Sequence, residues 1–221
     1  MTSWSYSSLK TFQQCPKKYY HTRVAKDFKD SDNTATIYGK EVHKVAEEFI
    51  RDGTPIPEKY KFIVPVLNAL NAIEGTKHCE IQLGLTEDLK PCGFFDEGVW
   101  WRGIADLLII NGEEAYSVDY KTSKNAKYAD TKQLDILATA IFAHYPQVKR
   151  IKSALIFLVC NDVVKKKHVI EDANKYLVPF TFDLERLESA LVTGVWNANS
   201  SALCAYCPVK TCQHWKERKI R

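Results

Sequence analysis

The chain has 221 residues, 45% hydrophobic and 26% charged, with 31 Lys plus Arg against 27 Asp plus Glu. Those proportions exclude a disordered or fibrous protein, and the length argues for one domain rather than a multidomain machine. No apolar run approaches the ~20 residues of a membrane span. Residues 1–10 have no apolar core behind basic residues, so the expectation is a cytoplasmic protein without a secretory signal.

In chain order, Ser5 to Gln14 predicts a short helix with serine caps, stopped by Pro16. A loop over Asp27 to Thr34 leads to an amphipathic helix over Ala35 to Asp52, with Val42, Val45, Ala46 and Phe49 on one face. Glu58 to Ile73 predicts a second helix that Pro65 should kink or break. The period then changes. Ile81, Leu83 and Leu85 alternate with Glu80, Gln82 and Gly84, the pattern of a strand. Val99 to Ile110 and Glu114 to Lys121 predict two strands joined by a hairpin at Asn111-Gly112. A helix over Tyr128 to Tyr145, a buried strand over Ile151 to Cys160 and a further strand over Tyr176 to Phe182 follow. Asp183 should cap a helix running through Leu184, Leu187, Leu191 and Val195. Helices flanking a mixed sheet indicate an α/β domain.

The net charge of +4 is mild, but its distribution is uneven. Six basic residues and one acidic lie between Lys10 and Lys29, and five and one between Lys210 and Arg221. Between Glu87 and Glu114 the sign reverses, with seven acidic and two basic. Basic ends around an acidic centre suit a polyanionic partner and a cation site, although scattered solvated faces would look the same. Of seven cysteines, Cys204, Cys207 and Cys212 crowd near the end, while Cys15, Cys79, Cys92 and Cys160 are dispersed. An odd count in a chain without a secretory signal favours metal binding or buried thiols over disulfides.

Asp119 and Lys121 stand two apart on a strand, so both leave the same face. Such a pair can hold a divalent cation and orient a water, although the same triplet often makes a plain surface ion pair. Asp106 precedes the apolar run Leu107 to Ile110, and a carboxylate there must be paired, protonated or metal-bound if it is buried. The hairpin would set Asp106 beside Asp119, and two carboxylates on adjacent strands suit a hard cation such as magnesium. Gly39 and His43 share one edge of a helix face. The glycine would permit close backbone approach, and His43 could reach the sheet. Gln133, on the helix after the Asp119 strand, could face the same cleft.

The order of these motifs resembles a known family. The sequence has Ser5-x-Ser7 before Cys15-Pro16, then Gly39-x-x-x-His43, Gly103-x-x-Asp106, Asp119-Tyr120-Lys121-Thr122, Gln133, and finally Cys204-x-x-Cys207-Pro208 with Cys212. It looks like the RecB-like branch of the PD-(D/E)XK nucleases, and within it the iron–sulfur enzymes that include CRISPR-associated adaptation nucleases and phage-encoded exonucleases. The resemblance implies a restriction-endonuclease-like mixed sheet flanked by helices. It implies one nuclease domain over 1–221, with 197–221 a cysteine segment paired with the N-terminal segment around Cys15.

By the same resemblance, His43, Asp106, Asp119 and the Tyr120 carbonyl would hold Mg²⁺ or Mn²⁺, Lys121 would orient the attacking water, and Gln133 would shape the site or touch DNA. Glu80 loosely matches a semi-regular acidic position. Cys15, Cys204, Cys207 and Cys212 would hold a [4Fe–4S] cluster. The chain departs from the family pattern at Leu107, where Arg is usual, and at Leu137, where Tyr is usual. Cys207 and Cys212 are also separated by four residues, one fewer than is commonest. The expected activity is hydrolysis of DNA from its ends, leaving a 5′-phosphate and a 3′-hydroxyl. The expected setting is a prokaryotic cell or phage-infected host. With no G-x-x-x-x-G-K-[ST] in the chain, a helicase or a recombination or adaptation partner would be a separate protein. The alternative is a non-catalytic nucleic-acid-binding scaffold of the same fold, with Zn²⁺ at Cys204, Cys207, Cys212 and His214.

Overall fold

The computed structural model of the protein describes residues 3–30 and 32–216; the end of the basic tail, 217–221, lies outside them. The chain divides into two units, residues 1–3 with 34–178, and residues 4–33 with 179–221.

The larger unit is built on a six-stranded sheet, β1 (Thr76–Leu85), β2 (Pro91–Cys92), β3 (Trp101–Asn111), β4 (Glu114–Lys121), β5 (Arg150–Phe157) and β6 (Asp162–Val169). The order is β2-β1-β3-β4-β5-β6, with every neighbouring pair antiparallel except β4 and β5. Asn111 pairs with Glu114, so β3 and β4 are joined by a two-residue turn in which Gly112 takes a φ of 59°. Positive φ at that position suits the twist of a hairpin and costs glycine little. The parallel β4–β5 pair cannot be joined so tightly, and its crossover is α5 (Lys132–His144). Every residue of α5 from Leu134 to Phe142 is buried.

One sheet face carries α3 (Thr34–Asp52) and α4 (Val64–Asn71). Val42, Ala46, Leu67 and Leu70 meet Leu107, Ile109, Val118 and Tyr120 there. On the other face Leu134 of α5 meets Leu155 and Phe157. A buried polar group also fixes α5. Asp135 accepts from His168 Nε2 at 2.9 Å and from Lys166 at 2.8 Å, and His168 Nδ1 lies 3.1 Å from Ser153 Oγ. Ser153, His168 and Asp135 have the order of a serine-hydrolase relay but are all buried, so they clamp α5 to β5 and β6.

The smaller unit contains α1 (Tyr6–Gln14), α2 (Pro16–Tyr19), a π-helical turn over Tyr20–Val24, α6 (Val178–Thr193) and a 3-10 turn over Ala202–Tyr206. Ser5 caps α1 through a reciprocal box with Ser8. Pro16 ends α1 and opens α2, where its missing N–H is no loss. Trp196 stacks on Tyr19 and meets Phe12 edge-on. Lys17 N donates to Asn197 O at 3.1 Å and Gln13 donates to Asp183 at 2.7 Å.

Four local expectations change. The helix expected from Tyr128 begins only at Lys132, and residues 128–131 belong to the loop before it. Tyr176 to Phe182 is no strand: a 3-10 turn runs over Ile170–Leu177 and α6 begins at Val178. Pro179 in a first helical turn is favourable, and Phe180, Leu187 and Ala190 bury one helical face. Asp183 therefore lies inside that helix rather than capping it. The strand β6 was absent from the expected elements, because Lys165, Lys166 and Lys167 mask its alternation. Pro65 falls at the start of α4, after a 3-10 turn over Glu58–Ile63, so it launches the helix rather than kinking it. No helix among the described residues is long and apolar enough to cross a membrane.

Candidate metal centre and active site

The site of the larger unit forms where β1, β3 and β4 meet α3 and α5. The β3–β4 ladder ends at Leu107–Val118, one step before Asp106 and Asp119 would face each other. The Tyr120 N–H turns to Asp106 Oδ2 at 2.7 Å. His43 comes down from α3, donating through Nε2 to the Tyr120 carbonyl at 2.9 Å, with Nδ1 at 3.4 Å from Asp106 Oδ2. The helix can come this close because residue 39 is glycine: a Cβ there would sit 3.3 Å from Thr122 Oγ1. The predicted close approach is thus made to a side chain rather than to backbone.

Glu80, given only a loose match in the sequence, joins this group. One ligand atom from each of His43, Glu80 and Asp106 lies within 4.8 Å of the others, and no other group of three such residues does so among the described residues. Glu80 breaks the regular β1–β3 pairing between Cys79 and Ile81 and takes a φ of 50°. A non-glycine residue in that region is uncommon, and such strain clusters at functional sites. Its alternation with Ile81 on a strand was visible in the sequence; the β1–β3 register that sets it opposite Asp106, and its positive φ, were not.

Asp119, Lys121 and Gln133 form a second, adjoining group. Lys121 Nζ lies 2.6 Å from Asp119 Oδ2 and 3.1 Å from Gln133 Oε1, while Gln133 Nε2 donates to Asp119 Oδ1. Asp119 is buried, and its Oδ2 has no aligned hydrogen-bond donor despite the nearby ammonium. Leu137, one turn beyond Gln133, is buried in the α5 core.

The electrostatics are those of crowded carboxylates. Burial and the Asp106 charge push Glu80 up to about 7. Burial and Asp106 raise Asp119, against the pull of Lys121 and His43. Burial would lower His43, but Asp106, Asp119 and the Tyr120 carbonyl more than offset it, leaving it raised. Crowded carboxylates, with Glu80 and Asp119 both raised by burial and by the Asp106 charge, fit a divalent cation. The donors are carboxylate oxygens, a backbone carbonyl and one imidazole, the set preferred by magnesium and manganese over soft metals. A cleft of about 620 Å³ opens onto the site, lined by Thr36, Gly39, Lys40, His43, Lys44, Glu47 and Glu80.

In the smaller unit Cys15, Cys204, Cys207 and Cys212 all line one cavity of about 390 Å³, together with His214. Cys15 Sγ accepts from Lys18 N and Asn199 N, both at 3.5 Å, and Cys204 Sγ from Ser201 N at 3.4 Å. Burial, then the neighbouring Cys15 and Cys212, raise the Cys207 thiol. No disulfide joins any of the seven cysteines.

Comparison with known proteins agrees with this geometry. The profile of the PD-(D/E)XK nuclease superfamily matches residues 3–72 and 67–212. No curated protein matches the chain. A candidate exonuclease from Eubacterium rectale has a similar fold, with a TM-score of 0.59, 12% identity, and coverage of 99% of this chain and 89% of that one. The protein SSO0001 overlaps with a TM-score of 0.44 and 13% identity over 98% of this chain and 88% of that one. A mixed sheet that gathers His43, Glu80 and Asp106 beside an Asp-x-Lys strand end, matched by one profile along nearly its whole length, makes this chain a member of the PD-(D/E)XK nuclease superfamily.

Proposed function

We propose that the protein is a metal-dependent deoxyribonuclease that hydrolyses phosphodiester bonds from DNA ends. The observation that carries this reading is the convergence of His43, Glu80 and Asp106 beside the buried Asp119 and its Lys121 neighbour. Asp106, Asp119, His43 and the Tyr120 carbonyl would hold Mg²⁺ or Mn²⁺, with Glu80 as a further carboxylate. Such an ion lowers the pKa of a bound water and neutralises charge on the scissile phosphate. Lys121, held by Asp119 and Gln133, keeps its ammonium at the strand end, where it can orient the attacking water or meet developing negative charge. Gln133 keeps that ammonium and the Asp119 carboxylate in register. Hydrolysis would leave a 5′-phosphate and a 3′-hydroxyl.

The cysteine cavity is read as the seat of a [4Fe–4S] cluster on Cys15, Cys204, Cys207 and Cys212. Four thiols around one cavity and backbone N–H groups aimed at two of the sulfurs support it. The cluster would be a structural staple, with catalysis elsewhere.

The test is incubation of purified protein with end-labelled linear and closed circular DNA, with Mn²⁺ or EDTA. Degradation of the linear substrate with Mn²⁺ alone is the expected result. No cleavage of either DNA by metal-loaded protein would refute the assignment, and rapid cutting of closed circles would refute the preference for ends.

A further inference from the structure

Between β4 and α5 runs a loop, residues 122–131, that leaves the site directly after Lys121 and returns to it just before Gln133. Its middle is a tight turn in which Ala129 N donates to Ala126 O at 2.9 Å. Ala126 and Ala129 both pack on the buried Leu134, Leu155 and Phe157, so the turn is braced from beneath. Its two central residues, Lys127 and Tyr128, are held outward. Tyr128 is 83% exposed, the most exposed large hydrophobic side chain among the described residues. Lys127 Nζ stands 5.5 Å from its ring centroid, within cation–π range. Lys124 and Lys132 are exposed on either side, and none of the three lysines forms an ion pair among the described residues.

A bare aromatic ring on a braced turn, flanked by three unpaired cations, matches a partner with a flat apolar face and repeated negative charge. That is the chemistry of an unpaired base and its phosphates. We infer that Tyr128 stacks on a base of single-stranded DNA beside the site, while Lys124, Lys127 and Lys132 contact the flanking phosphates. The identity of the polymer rests on the nuclease reading above. The loop of Tyr128 also carries one carboxylate, Asp130, against its three lysines, whereas Phe95, 77% exposed, provides the contrast: it is followed by two carboxylates, Asp96 and Glu97, whose charge repels phosphate. Aromatic exposure alone therefore does not distinguish the two positions; the surrounding charge does.

The experiment uses full-length protein in EDTA, so that nothing is cut, and an oligothymidylate carrying one 2-aminopurine whose fluorescence is quenched on stacking. Wild type should bind and quench. Tyr128→Ala should bind about tenfold more weakly and lose the quench, Tyr128→Trp should restore both, and Phe95→Ala should behave as wild type. Replacing the three lysines by alanine should flatten the slope of log affinity against log salt by about 2 units. Equal binding and quenching by Tyr128→Ala and wild type would overturn the inference, as would wild type that does not quench. A Tyr128→Ala defect confined to anionic phospholipid vesicles, with oligonucleotide binding intact, would reassign the turn to a lipid surface. Cleavage with Mn²⁺ is measured in parallel. If wild type does not cleave yet quenches through Tyr128, the nuclease reading falls and the stacking platform stands.

Discussion

The two polar centres of the molecule are built by opposite means. The carboxylate site hangs hard donors on a rigid sheet, drawn from β1, β3, β4, α3 and α5, and it crowds like charges until Glu80 is pushed up to about 7. The cysteine cavity hangs soft donors on short helices and turns, and its sulfurs accept backbone N–H groups. The first takes its shape from the sheet and sets like charges side by side. The second has few regular elements of its own, so a bound group there would substitute for missing core. The contrast teaches that ligand loss should act on chemistry in one region and on stability in the other.

The largest expected effect breaks the first region. Asp119→Ala or Lys121→Ala should lower the rate of nucleotide release with Mn²⁺ by about 100-fold or more, with circular dichroism and melting temperature close to wild type. Wild-type rates in a clean Asp119→Ala preparation would remove Asp119 from the site.

The second prediction breaks the other region. Anaerobically purified protein should be brown and bleached by dithionite. Cys15→Ala should lose the colour and melt earlier, while His214→Ala should change little. A link from Cys15 to the distal cysteines closes nearly the whole chain, worth about 5 kcal/mol as an upper bound. Colourless protein with one zinc, and a Cys15→Ala variant indistinguishable from wild type, would transfer the assignment to zinc.

A third, of about 3 kcal/mol, concerns the clamp under α5. Asp135→Ala leaves His168 buried without its carboxylate. Burial raises Asp135, but its bonds from His168 and Lys166 outweigh this and hold it below the ordinary 3.8. Its contribution is therefore present above that value and lost as pH falls below it. Urea titrations of wild type and Asp135→Ala should differ at pH 6 and draw together as pH falls below 3.8. Parallel curves at all pH values would contradict the clamp.

The smallest effect sharpens the comparison. Glu80 is raised in the fold, so the stability it contributes is full below the ordinary 4.5 and is lost as pH rises through about 7. In EDTA at pH 8, Glu80→Gln should be more stable than wild type by about 1 kcal/mol, discounted for its partial exposure. Added Mn²⁺ should stabilise wild type more than the variant, cancelling the difference. Identical melting curves in EDTA would show that the carboxylates do not repel.

Much of this was legible in the sequence, where period and chemistry agreed. Asn111-Gly112 marked the hairpin, and β4 runs over the expected Glu114–Lys121. The apolar stripe around Val42 and Ala46 placed α3. The fold failed to show where composition hid periodicity, in the lysines of β6 and in the apolar run that Pro179 turns into a helix start. For the site, the spacing of Asp119 and Lys121 was enough to put them on one face. Glu80 was harder, because it stands opposite Asp106 only through the β1–β3 register, and no tight turn joins those two strands to fix it.

Glu114, where the Gly112 turn ends, lies seven residues up β4 from Lys121, about 23 Å at 3.3 Å per residue, yet the turn sets the phase of the site. Adding one residue to that turn sets a three-residue loop in competition with a pairing shifted by one, in which Val118 and Tyr120 would exchange faces with Asp119 and Lys121. A long flexible insertion at the same place leaves both strands free to pair as before. The turn should therefore accept a whole reporter domain more readily than a single extra alanine, which makes it an entry point for engineering and a remote switch for dispersing the carboxylate site.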